Sequence, residues 1–293
     1  MRASHGGGEL TAYARMVRPG LADCLLWGAA ALFILIPLAS FLIFGFFSVV
    51  SNSIDYRPTL ANFDELLSNS SYRTTFFRTM RMAFLVSATN LVLGYATAYF
   101  IWQRPPAWRN LMVIALAIPL LMSYIIKIYA MRGVLGTNGL LNSATMALGI
   151  IDEPVSALLF NLTAVRITLS VVLLPFMVLP IYVALERIPA SVLHAASDLG
   201  ASEIQIFARV VLPLSLPGGI VGAMFTFVLA SGDFLAPELV GGIEGFTYGR
   251  LIFSQFGLAF NWPLGAALSI VLMIVALGVI YAARRFGNPR WQR

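Results

Sequence analysis

The chain has 293 residues, 59% of them hydrophobic and only 11% charged, with a formal net charge of +6 and a single cysteine. A soluble domain carries about 25% charged residues, so this composition excludes one and specifies a membrane protein with several spans. Cys24 alone makes neither an intramolecular disulfide nor a metal cluster, and the basic excess, nearly all arginine beside apolar runs, orients the chain in a lipid bilayer rather than binding nucleic acid.

Residues 1–20 form a basic leader with Arg2, Arg15 and Arg18, too long and followed by too extended an apolar run for a simple cleaved signal peptide. Residues 21–50 are that run and predict a first span. Residues 51–75 are polar, with turn residues Asn52 and Pro58. A second span is expected over 82–102, then a tight basic turn at Gln103-Arg104-Pro105-Pro106, then a third span over 111–129 kinked at Pro119. Gly133, Gly136, Asn138 and Gly139 break up residues 131–162, which read as a short interfacial or re-entrant helix. A fourth span covers 167–185 with Pro175 and Pro180, a fifth 218–235 and a sixth 264–281. The glycine-rich stretch 237–261 between the last two reads as a partial dip, and 282–293 as a basic tail. Trp102, Trp108 and Trp262 fit interfacial anchors.

Between the fourth and fifth spans lies the polar stretch 194–217, which cannot cross a membrane. Pro189 breaks the preceding helix, and Val192, Leu193, Ala196 and Leu199 then recur at helical spacing. Gly200 suits a left-handed cap. Ser202 and Gln205 have the spacing of a capping box, with Glu203 at a helix N-terminus. A second stripe is expected at Ile204, Phe207, Ala208 and Val211, with Pro213 and Pro217 punctuating the way into the next span. The pattern is helix, glycine corner, helix. Without further information it equally describes an amphipathic hairpin lying on the membrane.

Six spans put both ends on one side. With them lie Arg2, Arg15, Arg18, Arg104, Arg109, Arg187, Arg209, Arg284, Arg285, Arg290 and Arg293, against Glu9, Asp23, Glu186, Asp198 and Glu203. That is eleven basic against five acidic; the other side has eight of each. The excess places the termini and the 189–217 hairpin in the cytoplasm.

Ala195-Ala196, Gly200 and Leu212-Pro213 resemble, in identity and spacing, the EAA loop of permease subunits in binding-protein-dependent ABC importers, with Val210 where isoleucine is usual. The strings Leu174-Pro175-Phe176-Met177-Val178-Leu179-Pro180, Asp198-Leu199-Gly200-Ala201-Ser202, Leu212-Pro213-Leu214-Ser215-Leu216-Pro217-Gly218 and Pro237-Glu238-Leu239-Val240-Gly241-Gly242 are similar to spermidine/putrescine importer permeases, most of all to the first of the two permease subunits. His194 departs from the pattern: the family has glutamate there, so a permanent negative charge is replaced by an imidazole. A lone histidine on a helix is also simply a tolerated polar residue.

The resemblance implies an all-α membrane protein with the type I importer permease fold, about six spans and cytoplasmic termini. It implies a transmembrane domain over 21–293 with its core at about 75–285, and three partners: a cytoplasmic ABC ATPase dimer, a second homologous permease and an external solute-binding protein. The chain has no Walker A loop, so the resemblance leaves ATP and magnesium to the ATPase and no cofactor to this chain. ATPase coupling then falls to Leu193, His194, Ala195, Ala196, Asp198, Leu199, Gly200 and Ala201. The implied solute is a polyamine or similar small cation; an opine, an amino-acid derivative, an organophosphonate or ferric ion are alternatives within the same architecture.

Candidates for the solute path come from the cost of charge in a membrane. Asp233 and Glu238 follow the fifth span and suit a cationic solute; the plainer reading pairs them with Lys127, Arg132 or Arg166, or leaves them solvated. Asn90 and Tyr95, inside the second span, either line the path or hydrogen-bond between helices. Two rival classes fare worse. An intramembrane enzyme needs a nucleophile–base pair or a metal site, and the only histidines are His5 and His194. An ion-coupled carrier is expected to show paired interrupted helices in two halves, and no internal repeat is evident.

Overall fold

The computed structural model describes residues 21–50 and 53–286; the basic leader, the turn residue Asn52 and the tail arginines Arg290 and Arg293 lie outside the described residues. Helix α1 (Leu21–Phe44) leads into the antiparallel strands β1 (Ser48–Val50) and β2 (Ser53–Asp55) and the short helix α2 (Ala61–Ser68). There follow α3 (Ser70–Trp102), α4 (Pro106–Leu121), α5 (Tyr124–Leu135), α6 (Leu140–Ala147) and α7 (Leu162–Glu186). Then α8 (Ala190–Asp198) precedes α9 (Glu203–Gly232), and α10 (Tyr248–Gly257) precedes α11 (Trp262–Phe286). Among the described residues α3, α7, α9 and α11 are each long and apolar enough to cross a membrane, and α4 with α5 and α6 is a fifth if the bent pair counts as one span. The described apolar part of α1, Ala31–Phe44, is shorter.

Several expected boundaries move. Helix α3 starts at Ser70, twelve residues before the expected 82, because Asn69 caps it by accepting the Ser71 N–H at 2.9 Å. At 33 residues it is about 50 Å long, well beyond the ~30 Å hydrocarbon core. The third span does not run through to 129. Helix α4 carries Pro119 in its last turn and stops at Leu121, where the Met122 N–H closes back on the Pro119 carbonyl; Met122 is extended, and the chain departs at 100°. Beyond this break buried Asn142 clamps the glycine-rich loop. Its amide donates to the carbonyls of Gly136, Thr137 and Val155 at 3.0 to 3.2 Å, and its oxygen accepts the Val155 N–H at 3.0 Å.

The fifth span also begins early. Pro213 and Pro217, expected to punctuate its start, lie inside the continuous 30-residue α9. A π-turn at Phe207–Val211 precedes them, in which the Leu212 N–H reaches back to the Phe207 carbonyl. Without an amide at Pro213 the ordinary ladder is loosened there, and the wider turn keeps the helix going.

Helices α3, α7 and α9 form the core. In lipid, apolar surface alone does not hold helices together, so close packing and hydrogen bonds must. Met177 of α7 is fully buried in a notch between two glycines, Gly94 of α3 and Gly222 of α9. One turn further on, Gly218 abuts the Pro180 carbonyl. The Ser87 hydroxyl donates to the Ala223 carbonyl at 2.9 Å and ties α3 to α9. Helix α11 packs outside this trio with α10 and α1. Tyr248 is fully buried there; its N–H donates to Thr79 Oγ1 at 2.8 Å and its hydroxyl to the Leu268 carbonyl at 3.1 Å. That burial pushes its phenol well above the ordinary tyrosine range. One end of the bundle gathers Ile101, Ile188 and Val211; the other gathers the starts of α3 and α7 and the 233–250 segment.

Candidate functional site

The helix, corner and helix expected over 189–217 are present. Pro189 is extended and ends the preceding segment, and α8 follows at Ala190. Gly200 has φ +79°, the Ala201 N–H donates back to the Ala196 carbonyl at 3.2 Å and the Gly200 N–H to Ser197 at 2.8 Å. These satisfy the last carbonyls of α8 and turn the chain. Ser202 Oγ then accepts the Gln205 N–H at 3.4 Å while Gln205 Oε1 accepts the Ser202 N–H at 3.0 Å, a complete capping box.

The elbow presents a mixed surface. Leu193 is half-buried and packs with Ile206 and Phe207 on the core, so α8 is anchored by one side only. His194, Ala195 and Asp198 are exposed, and Ala196 and Ala201 half-buried. Leu199 is 87% exposed and Ile204, across the corner, 80%. Neither expected stripe is the buried face throughout: Val192 and Leu199 of the first and Ile204 and Ala208 of the second are exposed, while Phe207 and Val211 face the core as expected and Ile206 joins them. In the second helix the π-turn supplies the reason: one extra residue in the turn rotates everything before it, which carries Ile204 outward.

The root of the elbow is held by a cluster that sequence reading missed. Tyr182 donates its hydroxyl to Glu186 Oε1 at 2.5 Å, Arg109 Nη1 lies 3.6 Å from the same oxygen, and Arg109 Nη2 donates to the Trp102 carbonyl at 2.7 Å. The ends of α3 and α7 and the start of α4 thus meet at one carboxylate. The one signal available in the sequence was the i, i+4 spacing of Tyr182 and Glu186.

The solute-path candidates divide. Asp233 accepts the Ala236 N–H at 2.8 Å and the Tyr124 hydroxyl, so it joins the end of α9 to the start of α5. Glu238 is 2.5 Å from Arg250 Nε, whose Nη1 also donates to the Gly242 carbonyl at 2.7 Å. The pairing considered for Glu238 is thus real, with Arg250 in place of Lys127, Arg132 or Arg166. Lys127 lies over the Tyr124 ring at 5.4 Å and Arg132 over Phe160 at 5.5 Å. Tyr95 accepts from Ser215 Oγ at 3.5 Å and packs on Gly219, between helices. Asn90 is 0% exposed and reaches no open surface of the subunit in this conformation. Among the described residues no group of three or more His, Cys, Asp or Glu side chains is placed to hold a metal ion.

Comparison with known proteins decides the family. The family described as the binding-protein-dependent transport system inner membrane component matches residues 90–286, from mid-α3 to the end of α11 and across the elbow. The chain belongs to this family. Among similar permeases, the spermidine/putrescine transport system permease protein PotB of Escherichia coli K12 is 38% identical over 235 residues, 79% of this chain and 85% of that one. PotB of Haemophilus influenzae is 35% identical over 243 residues, 82% of this chain and 84% of that one. The inner membrane ABC transporter permease protein YdcU of Escherichia coli K12 is 35% identical over 256 residues, 82% and 80% of the two chains. A solved bacterial alginate ABC transporter shares the permease fold at TM-score 0.73 and 16% identity, over 96% of this chain and 94% of that one. The MetNI methionine ABC transporter does so at 0.55 and 20%, over 73% and 93%. The all-α importer-permease fold and the inner-membrane location expected from the sequence both hold. As a permease subunit the chain is not an enzyme.

Proposed function

We propose that this permease forms half of the translocation path of an ATP-driven polyamine importer, carrying spermidine, putrescine or a similar small cation, and is moved by a cytoplasmic ATPase pair gripping its elbow. The polyamine reading is supported by the 38% identity to a spermidine/putrescine permease over most of both chains. The coupling reading is carried by one observation: Leu199 and Ile204 stand 87% and 80% exposed on either side of the Gly200 corner. A large apolar pair held open on a rigid, doubly capped turn suits a groove in a partner, and Ala195 beside it allows close approach. ATP and magnesium belong to that partner. The second permease completes the path, and an external binding protein delivers solute, in keeping with the solved alginate importer described in complex with its periplasmic protein. The arginine excess expected to lie with the elbow puts it in the cytoplasm.

When the ATPases close, the elbow moves with α8 and the start of α9. The Tyr182–Glu186–Arg109 cluster passes that movement to α3 and α4, so the bundle shifts as a body between two packings. The test is Leu199→Asp in the co-expressed complex. Burying a carboxylate in an apolar groove costs about 2 kcal/mol or more, so the ATPase subunits should no longer co-purify and ATP-dependent spermidine uptake should fall at least about thirtyfold. Retention of both would sink the coupling reading, and uptake of spermidine without any ATPase would sink the importer reading.

A further inference from the structure

A cavity of about 840 Å³ opens between the N-terminal ends of α3 and α7. Four arginines line it, Arg73, Arg78, Arg81 and Arg166, with the hydroxyl residues Ser70 and Thr74 and no carboxylate. Among the described residues none of the four takes part in an ion pair. Arg78 donates to a backbone carbonyl, that of Glu244, and Arg166 Nη2 to Thr163 Oγ1 at 2.8 Å. Arg166 Nε is buried without any hydrogen-bond partner. Guanidinium groups matched by no acid, one of them with a desolvated donor unused, call for a bidentate anion.

Position narrows the kind of anion. Helix α3 exceeds the hydrocarbon core by roughly 20 Å; Arg73, Arg78 and Arg81 lie in its first turns and Arg166 at the start of α7. Arg73 stands about 12 Å along the helix beyond Arg81. Lipid phosphates of one leaflet lie near a single plane, which does not match guanidinium groups spread this far along a helix axis. On the importer reading above, on which this inference rests, the solute is a cation, and four like charges repel it. A protein that holds a cationic solute does so with carboxylates, and it must approach this end of the bundle from outside.

We propose that the arginine-lined cavity is the seat for an acidic segment of the external solute-binding protein. Its carboxylates pair with Arg73, Arg81 and Arg166, and docking cancels the positive field that would otherwise oppose delivery of a cation. The energy of such pairs at a rim is strongly screened by salt.

The experiment measures binding of the system's own spermidine-loaded binding protein to the assembled transporter in nanodiscs, at low and high salt, in phosphatidylcholine alone and with added phosphatidylglycerol. Arg73→Gln with Arg81→Gln should weaken binding about tenfold or more in both lipids and flatten its salt dependence. Arg284→Gln, at the far end of α11, should change neither. Unchanged affinity of the double variant overturns the proposal. So does a loss confined to phosphatidylglycerol discs, which would assign the arginines to lipid. Loss of affinity in a transporter that takes up no polyamine would keep the site and discard the polyamine reading instead.

Discussion

Filling the notch around Met177 tests the packing on which the movement of the bundle depends. A Cβ at Gly222 would stand 2.7 Å from Met177 Sδ and 3.0 Å from both the Met177 Cα and its carbonyl oxygen. The sulfur could swing aside, but the backbone atoms cannot, and on the far side a Cβ at Gly94 would already be 2.5 Å from Met177 Cγ. Gly222→Ala should therefore cost about 1–3 kcal/mol, and Gly222→Val more, because overpacking forces backbone shifts. Thermal denaturation of the purified complex in nanodiscs reads this directly. Combining Gly222→Ala with Met177→Ala should recover part of the loss, giving a positive coupling in a double-mutant cycle. Gly278, where a Cβ would meet nothing within 4 Å, is the control and should accept alanine silently. If Gly222→Val melts and transports as the unaltered chain does, α7 and α9 do not meet as described here.

Three further predictions concern the site. Gly200→Val places a β-branched residue at φ +79°, a strain of about 1–3 kcal/mol; uptake should collapse with membrane insertion intact, and normal transport would count against a rigid corner. Glu186→Gln removes the charge shared by Tyr182 and Arg109; it should uncouple ATP hydrolysis from uptake, and an unchanged ratio of solute moved to ATP consumed would exclude the cluster from force transmission. Asp233→Asn should raise the half-saturating concentration for spermidine more than Tyr124→Phe does, whereas Glu238→Gln, which loses the Arg250 pair, should act mainly on stability. Equal kinetic effects at Asp233 and Glu238 would remove Asp233 from the path.

What was legible in the sequence was local. Pro189, Gly200 and the Ser202–Gln205 box act within a turn of themselves, so spacing alone located the elbow and its caps. The spans were visible by hydropathy, but their ends were not. Asn69 starts α3 in a polar stretch, which a hydropathy window averages away. Pro119 and Pro213 are the same residue type in opposite settings: one lies in the last turn of its helix, and the other is carried within a continuous helix behind a π-turn that leaves no mark in composition. The pairs that organise the far end were beyond reach for another reason. Tyr124 and Asp233 are 109 positions apart, and Arg250 meets Glu238 only because a π-turn at Pro237–Gly241 and a loop fold the segment back. The Met177 notch depends on three helices at once, so no single periodicity carries it.

The surplus residue at Phe207–Val211 makes the elbow a matter of counting as well as of chemistry. Each residue advances a helix by about 100°, so one deletion between Ile206 and Pro213 would swing Leu199 and Ile204 a quarter-turn or more about the axis of α9, with every side chain on both surfaces unchanged. Inner-face docking is thereby indexed to spacer length. Variants of this subunit can be expected to tolerate many substitutions across that stretch but no gain or loss of a single position.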